Sequence, residues 1–314
     1  MARWDILRQD RTREAEVAST RPKRQDDSEQ GSVSVGRGPG DTSSSSTADK
    51  PRTQENPLRE RALRHRTHHR DQNRTYLLRH REIVAMTDIG TFRTVDVRDL
   101  AQFAYGGNEA AMNYDLGELR AQGLIEEKTV PQAHKEPRNV VALTEKGHRI
   151  LRKASGVRKD QAIYHGYVKA REINHDADLY KVYQQAAEEI RRRGGKPVRV
   201  RLDFELKAAI QRERNALKER AESERKECLE AFAKEHGLTI SETVIRVPDV
   251  QVEYETRDGE LERTNLELVS ENYRTEGIRS KAESGFTIYA RGNDTTRVRR
   301  ALHDTHTVER ILSI

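Results

Sequence analysis

Two acidic residues, Asp249 and Glu267, are the strongest candidates for chemistry in this sequence. Each lies in a stretch where apolar and polar residues alternate, as in a strand with one buried face. A two-residue turn at Asp258 and Gly259 would place Asp249 opposite Leu268. A three-residue loop with Gly259 in the left-handed conformation instead places Asp249 opposite Glu267. Paired carboxylates suit Mg²⁺, which prefers oxygen ligands and can activate water for phosphodiester cleavage.

The residues flanking this pair predict the elements that would hold it in a sheet. Before it, helical spacing over 163–193 is followed by alternation over 198–206 and by a charged helical insert over 207–236. After it come a helix over 273–281 and a strand over 286–289. The predicted order is therefore helix, strand, insert, strand, strand, helix, strand.

This order and these acids resemble the core of the PD-(D/E)XK nuclease fold. Pro248 and Asp249 correspond to the first two letters of the motif, and Glu267 corresponds to its second acid. Val269 stands where the usual motif has lysine. The resemblance implies that Lys281, on the following helix, takes the place of that lysine.

The composition favours an anionic partner. The 314 residues include 35% charged side chains and carry a formal net charge of +6, which makes nucleic acid the leading candidate. The single cysteine, Cys228, excludes an intramolecular disulfide framework and a cysteine-rich zinc site. No apolar run approaches the roughly 20 residues needed to cross a bilayer, and the N-terminus lacks the apolar centre of a signal peptide. We expect a cytoplasmic protein without a membrane partner.

The N-terminal half has two parts. Residues 1–72 contain almost no periodic apolar pattern and predict a disordered, basic, low-complexity tail. The pattern over 73–158 predicts three short helices, of which the first begins near Tyr76, then a two-stranded ribbon and a closing helix. These elements resemble a winged-helix domain, and the stretches LRAQGLIEEK and VVALTEKGHRIL resemble the end of its third helix, its wing and the return of the chain.

The expected fold class is therefore α+β. A winged-helix domain is followed by a restriction-endonuclease-like α/β domain with a mixed sheet over 159–296, and a C-terminal helix occupies 297–314. Apolar periodicity lapses across 155–163, which predicts that the two domains fold separately.

The winged-helix resemblance implies contacts with duplex DNA, because the third helix of such domains enters the major groove and the wing touches phosphates. The residues proposed to bind DNA are Asn113, Arg120, Lys128, Lys135 and Arg138. The predicted third helix also carries Glu109, Asp115 and Glu118, so its net charge is negative. A winged helix used for dimerisation or as a scaffold is the alternative.

The whole arrangement resembles the replication-relaxation family of plasmid and integrative-element proteins, which joins a winged helix to a nuclease-like domain. The stretches that carry the resemblance are INHDADLYKVY, VPDVQVEY, LELVS and IRSKAESGFTIY. The recurring residues of the family correspond to His175, Asp249, Glu267 and Lys281, and most members carry a further acid near Val269. The resemblance implies a DNA-binding replication or mobilisation protein of a mobile genetic element.

Three functions are compatible with these features. The first is a Mg²⁺-dependent endonuclease or nickase in which Lys281 faces the phosphate. The second, which Val269 favours, is a catalytically inactive accessory protein that works with other relaxosome or replication proteins. The third is a winged-helix transcriptional regulator, and a homodimer is compatible with each. The residues proposed to be catalytic are Asp249, Glu267, Lys281, His175 and Glu189, of which the first two are also the proposed metal ligands.

Overall fold

The computed structural model of the chain describes residues 66–132, 135–167, 169–241, 244–269, 273–292, 294–302 and 311–313. The predicted disorder of residues 1–65 lies outside this part of the chain. Residues 66–72, also predicted as tail, instead form an antiparallel hairpin with the residues that follow. Its strands are β1 (Arg66–Asp71) and β2 (Arg74–Arg79). The hairpin is anchored because the buried carboxylate of Asp71 accepts a hydrogen bond of 2.8 Å from Lys153.

The first helix begins later than the sequence predicted. Leu77 and Leu78 belong to β2, where Tyr76 and Leu78 share its buried face. The helix starts after Arg79, whose backbone N–H donates to the Glu82 carboxylate at 2.6 Å and closes a capping box. An adjacent apolar pair fits either a strand or a helix, so the sequence pattern alone placed this boundary incorrectly.

The rest of the first half combines four helices with a small antiparallel sheet of strand order β3-β5-β4. Asp96, Asn108 and Thr144 cap the second, third and fourth helices through their side chains. The elements are α1 (His80–Phe92), β3 (Val95–Asp96), α2 (Val97–Tyr105), α3 (Glu109–Ala121), β4 (Ile125–Gln132), β5 (Lys135–Leu143) and α4 (Glu145–Lys153).

The second half is built on a mixed sheet of order β12-β11-β10-β9-β6. Strands β6, β9 and β10 are antiparallel neighbours, whereas β10, β11 and β12 run parallel. The predicted order of elements and the mixed sheet are confirmed. The elements are α5 (Ala170–Arg192), β6 (Lys196–Leu202), α6 (Asp203–Ala216), α7 (Glu222–Glu235), β7 (Ile240–Ser241), β8 (Val244–Ile245), β9 (Val250–Glu255), β10 (Leu261–Val269), α8 (Thr275–Glu283), β11 (Thr287–Ala290), α9 (Thr295–Leu302) and β12 (Ile311–Ser313).

Two predicted boundaries in this half were wrong. Strand β6 ends at Leu202, and the apolar residues Phe204 and Leu206 belong to α6, whose first turn carries acidic residues that favour a helix N-terminus. In the described residues, the C-terminal helix covers Thr295–Leu302, and Ile311–Ser313, predicted as part of that helix, pairs with β11 as a strand.

The two halves share one hydrophobic core, which differs from the expectation of separate folding. One cluster of buried side chains runs from the helices of the first half through α5 to the inner face of the mixed sheet. The ring of Phe92 lies 5.4 Å from that of Tyr180 and 5.1 Å from that of Tyr183, both on α5. The Tyr180 hydroxyl donates to Asp88 of α1 at 3.1 Å. Because α5 belongs to both packings, the halves meet over a continuous apolar surface.

Arg138 also links the two halves, through ion pairs. It is only 9% exposed, and its guanidinium donates to Asp96 at 2.6 Å and to Asp178 of α5 at 2.5 Å. Arg291 donates to the other oxygen of Asp178 at 2.7 Å. The proposal that Arg138 contacts DNA was therefore wrong, because its donors are directed at buried acids.

A buried carboxyl beside this cluster predicts a pH effect on stability. Burial, together with the charge of Asp96, raises the pKa of Asp99 to about 6. Since the folded pKa exceeds the unfolded one, the stability that this group contributes is present at low pH and is lost as pH rises through about 6. Asp99→Asn should therefore stabilise the protein by about 1–3 kcal/mol near pH 7.5 and have little effect near pH 4.

Urea unfolding of wild type and Asp99→Asn at both pH values measures this difference. Glu260→Gln, which changes an exposed carboxylate in the β9–β10 turn, is the matched control and should show no pH-dependent difference. An equal effect of Asp99→Asn at both pH values would contradict the prediction.

Candidate active site at the end of the mixed sheet

The β9–β10 hairpin has the predicted register. Leu266 pairs with Val250, so one further step along the strands places Glu267 opposite Asp249. The turn that sets this register is a three-residue loop, in which Gly259 has φ +87° and the Thr256 N–H donates to the Glu260 carbonyl at 2.8 Å. The register argument from the sequence is confirmed.

Glu267 is fully buried and is held by three donors. Its Oε1 accepts from the Tyr273 hydroxyl at 2.5 Å. Its Oε2 accepts from Lys281 Nζ at 3.0 Å and from the Asp249 backbone N–H at 3.3 Å. Burial and the nearby charge of Asp249 raise the pKa of Glu267 to about 7, although Lys281 opposes this shift. Lys281, on α8, therefore reaches the acid pair as predicted.

Asp249 joins this acid to a histidine on α5. Its Oδ2 accepts from the Leu268 N–H at 2.9 Å and lies 3.4 Å from His175 Nε2. His175 Nδ1 lies 3.8 Å from an oxygen of Asp176. Burial lowers the pKa of His175, but its hydrogen bonds to Asp176 and Asp249 outweigh burial and raise the pKa to about 10. His175 is therefore an imidazolium at neutral pH, and Asp249 has a cationic neighbour.

Two charged residues of α6 complete the surroundings of the site, and the sequence patterns did not point to them. The Asp203 N–H donates to the Asp249 carbonyl at 3.1 Å, which extends the pairing of β6 with β9. Lys207 binds Asp203 at 2.5 Å, and its side chain is 63% exposed. Burial opposes the shift, but Asp203 and then Asp249 and Glu267 raise the pKa of Lys207. The four-residue spacing of Asp203 and Lys207 was the available signal, and it was missed because the strand was extended through this stretch.

Tyr273 was also missed. It precedes α8 and lies six residues after Glu267, so no strand or helix periodicity links the two residues. Its short hydrogen bond fixes the carboxylate of Glu267 opposite to Lys281. The only sequence signal for Tyr273 was that its hydroxyl comes just before α8, the helix that carries Lys281.

Glu189 does not belong to this cluster. It lies about four helical turns, or roughly 20 Å, from His175 on α5. Its carboxylate is bound by Arg192 and by Arg193 at 2.6 Å. The proposed catalytic role of Glu189 was wrong, because helical periodicity identifies a shared face but not a shared height along the axis.

The donor set suits a hard cation only in part. Mg²⁺ is commonly held by one or two carboxylates together with water and substrate phosphate, and Asp249 and Glu267 could provide those carboxylates. In the described part of the chain, no group of three or more His, Cys, Asp and Glu side chains forms a metal site. Both oxygens of Glu267 already accept hydrogen bonds, so a cation would compete there with Lys281.

The proposed DNA-contacting residues of the first half are mostly on the surface. Asn113 is exposed, and the side chain of Arg120 is 61% exposed and lies 3.2 Å from Glu127. Lys128 is exposed with its Nζ 5.8 Å from the centre of the Tyr167 ring. The backbone of Lys135 pairs with Gln132 across the β4–β5 ladder, and its side chain lies outside the described atoms.

Two of the three acids of α3 are paired with arginine within the fold. Asp115 is fully buried and lies 2.6 Å from Arg79 and 2.6 Å from Arg81. Glu118 lies 3.2 Å from Arg66 of the β1–β2 hairpin. Of the acids that made a DNA contact by this helix doubtful from sequence, Asp115 and Glu118 are therefore paired with arginine, whereas Glu109 at the start of α3 is exposed.

No helix in the described residues is long and apolar enough to cross a bilayer. Comparisons with protein-family models, with curated proteins and with solved structures returned no match to this chain.

Proposed function

We propose that this chain binds DNA and cleaves phosphodiester bonds with the help of Mg²⁺. The observation that carries the proposal is the convergence of Asp249, Glu267, Lys281 and His175 at one end of the mixed sheet, from four separate segments of the chain. A carboxylate pair flanked by two cations suits a reaction in which charge develops on a phosphoryl group. The setting that we propose is the replication or mobilisation of a mobile genetic element, beside other relaxosome or replication proteins.

Each residue of the cluster has a role in this proposal. Asp249 and Glu267 would hold a cation, which would supply charge neutralisation and water activation. Lys281, which lies 3.0 Å from Glu267, would contact a non-bridging phosphate oxygen. His175 donates to Asp249 and holds its carboxylate in position. Tyr273 does the same for Glu267.

The first half is proposed to hold the DNA as a winged helix does. After the β1–β2 hairpin, its elements follow the order helix, strand, helix, helix, strand, strand, helix, and β3, β4 and β5 form one antiparallel sheet, which supports this assignment. Helix α3 would enter the major groove through its exposed residues, and β4 and β5 would contact the backbone.

A catalytically inactive DNA-binding protein is the second candidate, and Val269 favours it. This side chain is fully buried and packs with α8 and α9, so the region near which most members of the replication-relaxation family carry a further acid is part of the core. Both oxygens of Glu267 already accept hydrogen bonds, which points in the same direction. Cleavage assays separate the two candidates.

Asp249→Asn should abolish Mg²⁺-dependent nicking of supercoiled plasmid by the purified protein, with a loss of about 100-fold or more, because it removes one of two charged ligands. DNA binding should be retained. The measurement is conversion of supercoiled to open-circular plasmid with Mg²⁺ and with EDTA.

Glu189→Gln is the matched control, since this acid is distant from the cluster and should leave nicking unchanged. If the wild-type protein binds DNA but does not nick it under any divalent cation, the inactive candidate is correct. Equal nicking by wild type and Asp249→Asn would indicate a contaminating nuclease.

Arg120→Ala and Lys128→Ala should each weaken duplex binding. If each side chain contacts one phosphate, each substitution should lower the slope of log affinity against log salt by about 1. Fluorescence anisotropy over a series of salt concentrations measures this slope. Lys226→Ala, which removes an exposed lysine from α7, is the control and should change neither affinity nor slope, and equal effects of all three would contradict a specific surface.

A further inference from the structure

A groove lined by aromatic rings lies between the first half and α6. Its volume is about 350 Å³, within the range of small-ligand sites. The groove is built by the ends of α1 and α4, by the connection that follows α4, and by the first turn of α6. The side chains that form most of its wall are Arg93, His148, Tyr164, His165, Tyr167 and Phe204.

The rings are arranged as a stacking surface. The rings of His148 and His165 lie 5.1 Å apart, and those of Tyr164 and Phe204 lie 4.7 Å apart at 75°. Burial, and then the proximity of His165, lowers the pKa of His148 below its usual value, so its ring is neutral at neutral pH. Neutral and aromatic surfaces of this kind stack on nucleobases regardless of base identity.

Arg93 connects the groove to the carboxylate cluster. Its guanidinium lies 4.5 Å above the centre of the Phe204 ring and 3.2 Å from Asp176. Asp176 is the neighbour of His175 along the chain and contacts its ring. Phe204 follows Asp203, which pairs with Asp249 through the backbone. Asp176 and Asp203 therefore link the wall of the groove to the residues around Asp249.

Arg93 follows the last residue of α1 in a tight turn. Its φ is +65° and its ψ is −51°, a backbone conformation that residues other than glycine rarely adopt. The described residues that line the groove include no acid, and the nearby acids are bound to its wall, Asp176 to Arg93 and Glu205 to the Tyr164 hydroxyl.

We propose that this groove receives an unpaired base of the DNA strand whose phosphate lies at Asp249 and Glu267. The preferred substrate is then a single-stranded or locally melted segment, because a base within an intact duplex cannot enter the groove. This inference rests on the proposed function and specifies its substrate.

The test is binding of a short, labelled oligothymidylate and of a labelled duplex to the full chain in EDTA. Wild type should bind the single strand, and Tyr164→Leu should weaken that binding about 5-fold or more, as expected for the loss of one base-stacking ring. His165→Ala removes an exposed ring and should have a similar effect with little risk to folding. Tyr254→Leu, in the distant β9–β10 hairpin, is the matched control and should bind as wild type does.

Duplex binding separates this inference from the proposed function. If the groove variants lose single-strand binding but keep duplex binding, the proposal is supported. If both groove variants, folded by circular dichroism, bind the single strand as wild type does, the groove proposal is overturned and the proposed function is unaffected. If wild type binds neither form of DNA, both are overturned.

Discussion

Arg138→Ala should lower the free energy of unfolding by about 3–5 kcal/mol, the cost expected when one partner of a buried ion pair is removed. Arg138 is the cation between Asp96 and Asp178, and its loss leaves both acids close together under little solvent. Asp178 keeps Arg291, whereas Asp96 loses the guanidinium that neutralises it. Urea unfolding at neutral pH measures the change.

The control is Arg120→Ala, which removes an exposed arginine of α3 and should cost no more than about 0.5 kcal/mol. Arg138→Lys keeps the charge but cannot bind both acids through a planar fork, so its stability should lie between wild type and Arg138→Ala. Under conditions where Arg138→Ala is folded, its DNA affinity should equal that of wild type. A stability loss below about 1 kcal/mol, or a selective loss of DNA binding, would contradict the structural role.

Lys281→Met should reduce DNA cleavage by about 100-fold or more, the effect seen when one charged group is removed from a preorganised site. The reason is electrostatic. Lys281 is 3.0 Å from the buried Glu267, and without it the carboxylate faces Asp249 with only Tyr273 and a backbone N–H as donors. The pKa of Glu267 should then rise further, so that the acid binds a proton at neutral pH instead of a cation.

A double-mutant cycle separates structure from catalysis at this pair. Lys281→Met and Glu267→Gln should each destabilise the protein, and the double variant should be more stable than the sum of the two by about 0.5–3 kcal/mol. Cleavage should remain lost in all three. Lys226→Met on α7 is the control for loss of a lysine. Strict additivity of the two stability changes would show that the ion pair contributes nothing to stability. Cleavage at the wild-type rate by Lys281→Met would show that Lys281 takes no part in the reaction.

The acid pair could be predicted because its register depends on local residues. The turn at Asp258 and Gly259 determines which residues pair across the hairpin, and one glycine at φ +87° is enough to select the three-residue loop. The order of elements was predictable for the same reason, since the spacing of apolar residues reports on each element separately.

The predictions that failed depend on contacts between distant parts of the chain. Arg138 has the sequence context of an exposed ribbon residue, and only the packing of α5, which brings Asp178 to it from 40 positions away, makes it a buried ion-pair partner. The shared core was missed for the same reason. Helix α5 has apolar residues on two faces, and its sequence pattern does not show that one face packs on the first half and the other on the mixed sheet. Phe204 continued the alternation of β6 by chance, and its place in the groove follows from the strand-to-helix change at Asp203.

The common core through α5 also fixes the distance between helix α3 and the Asp249 cluster, and therefore the distance between the DNA that each would contact. Because α5 packs against both α1 and the mixed sheet, α3 and the Asp249 cluster are attached to one continuous packing unit and not to two domains on a tether. Under the proposed function, DNA held by α3 would thus be cut at a constant offset from the bound sequence, and products from one binding site would share a single end position.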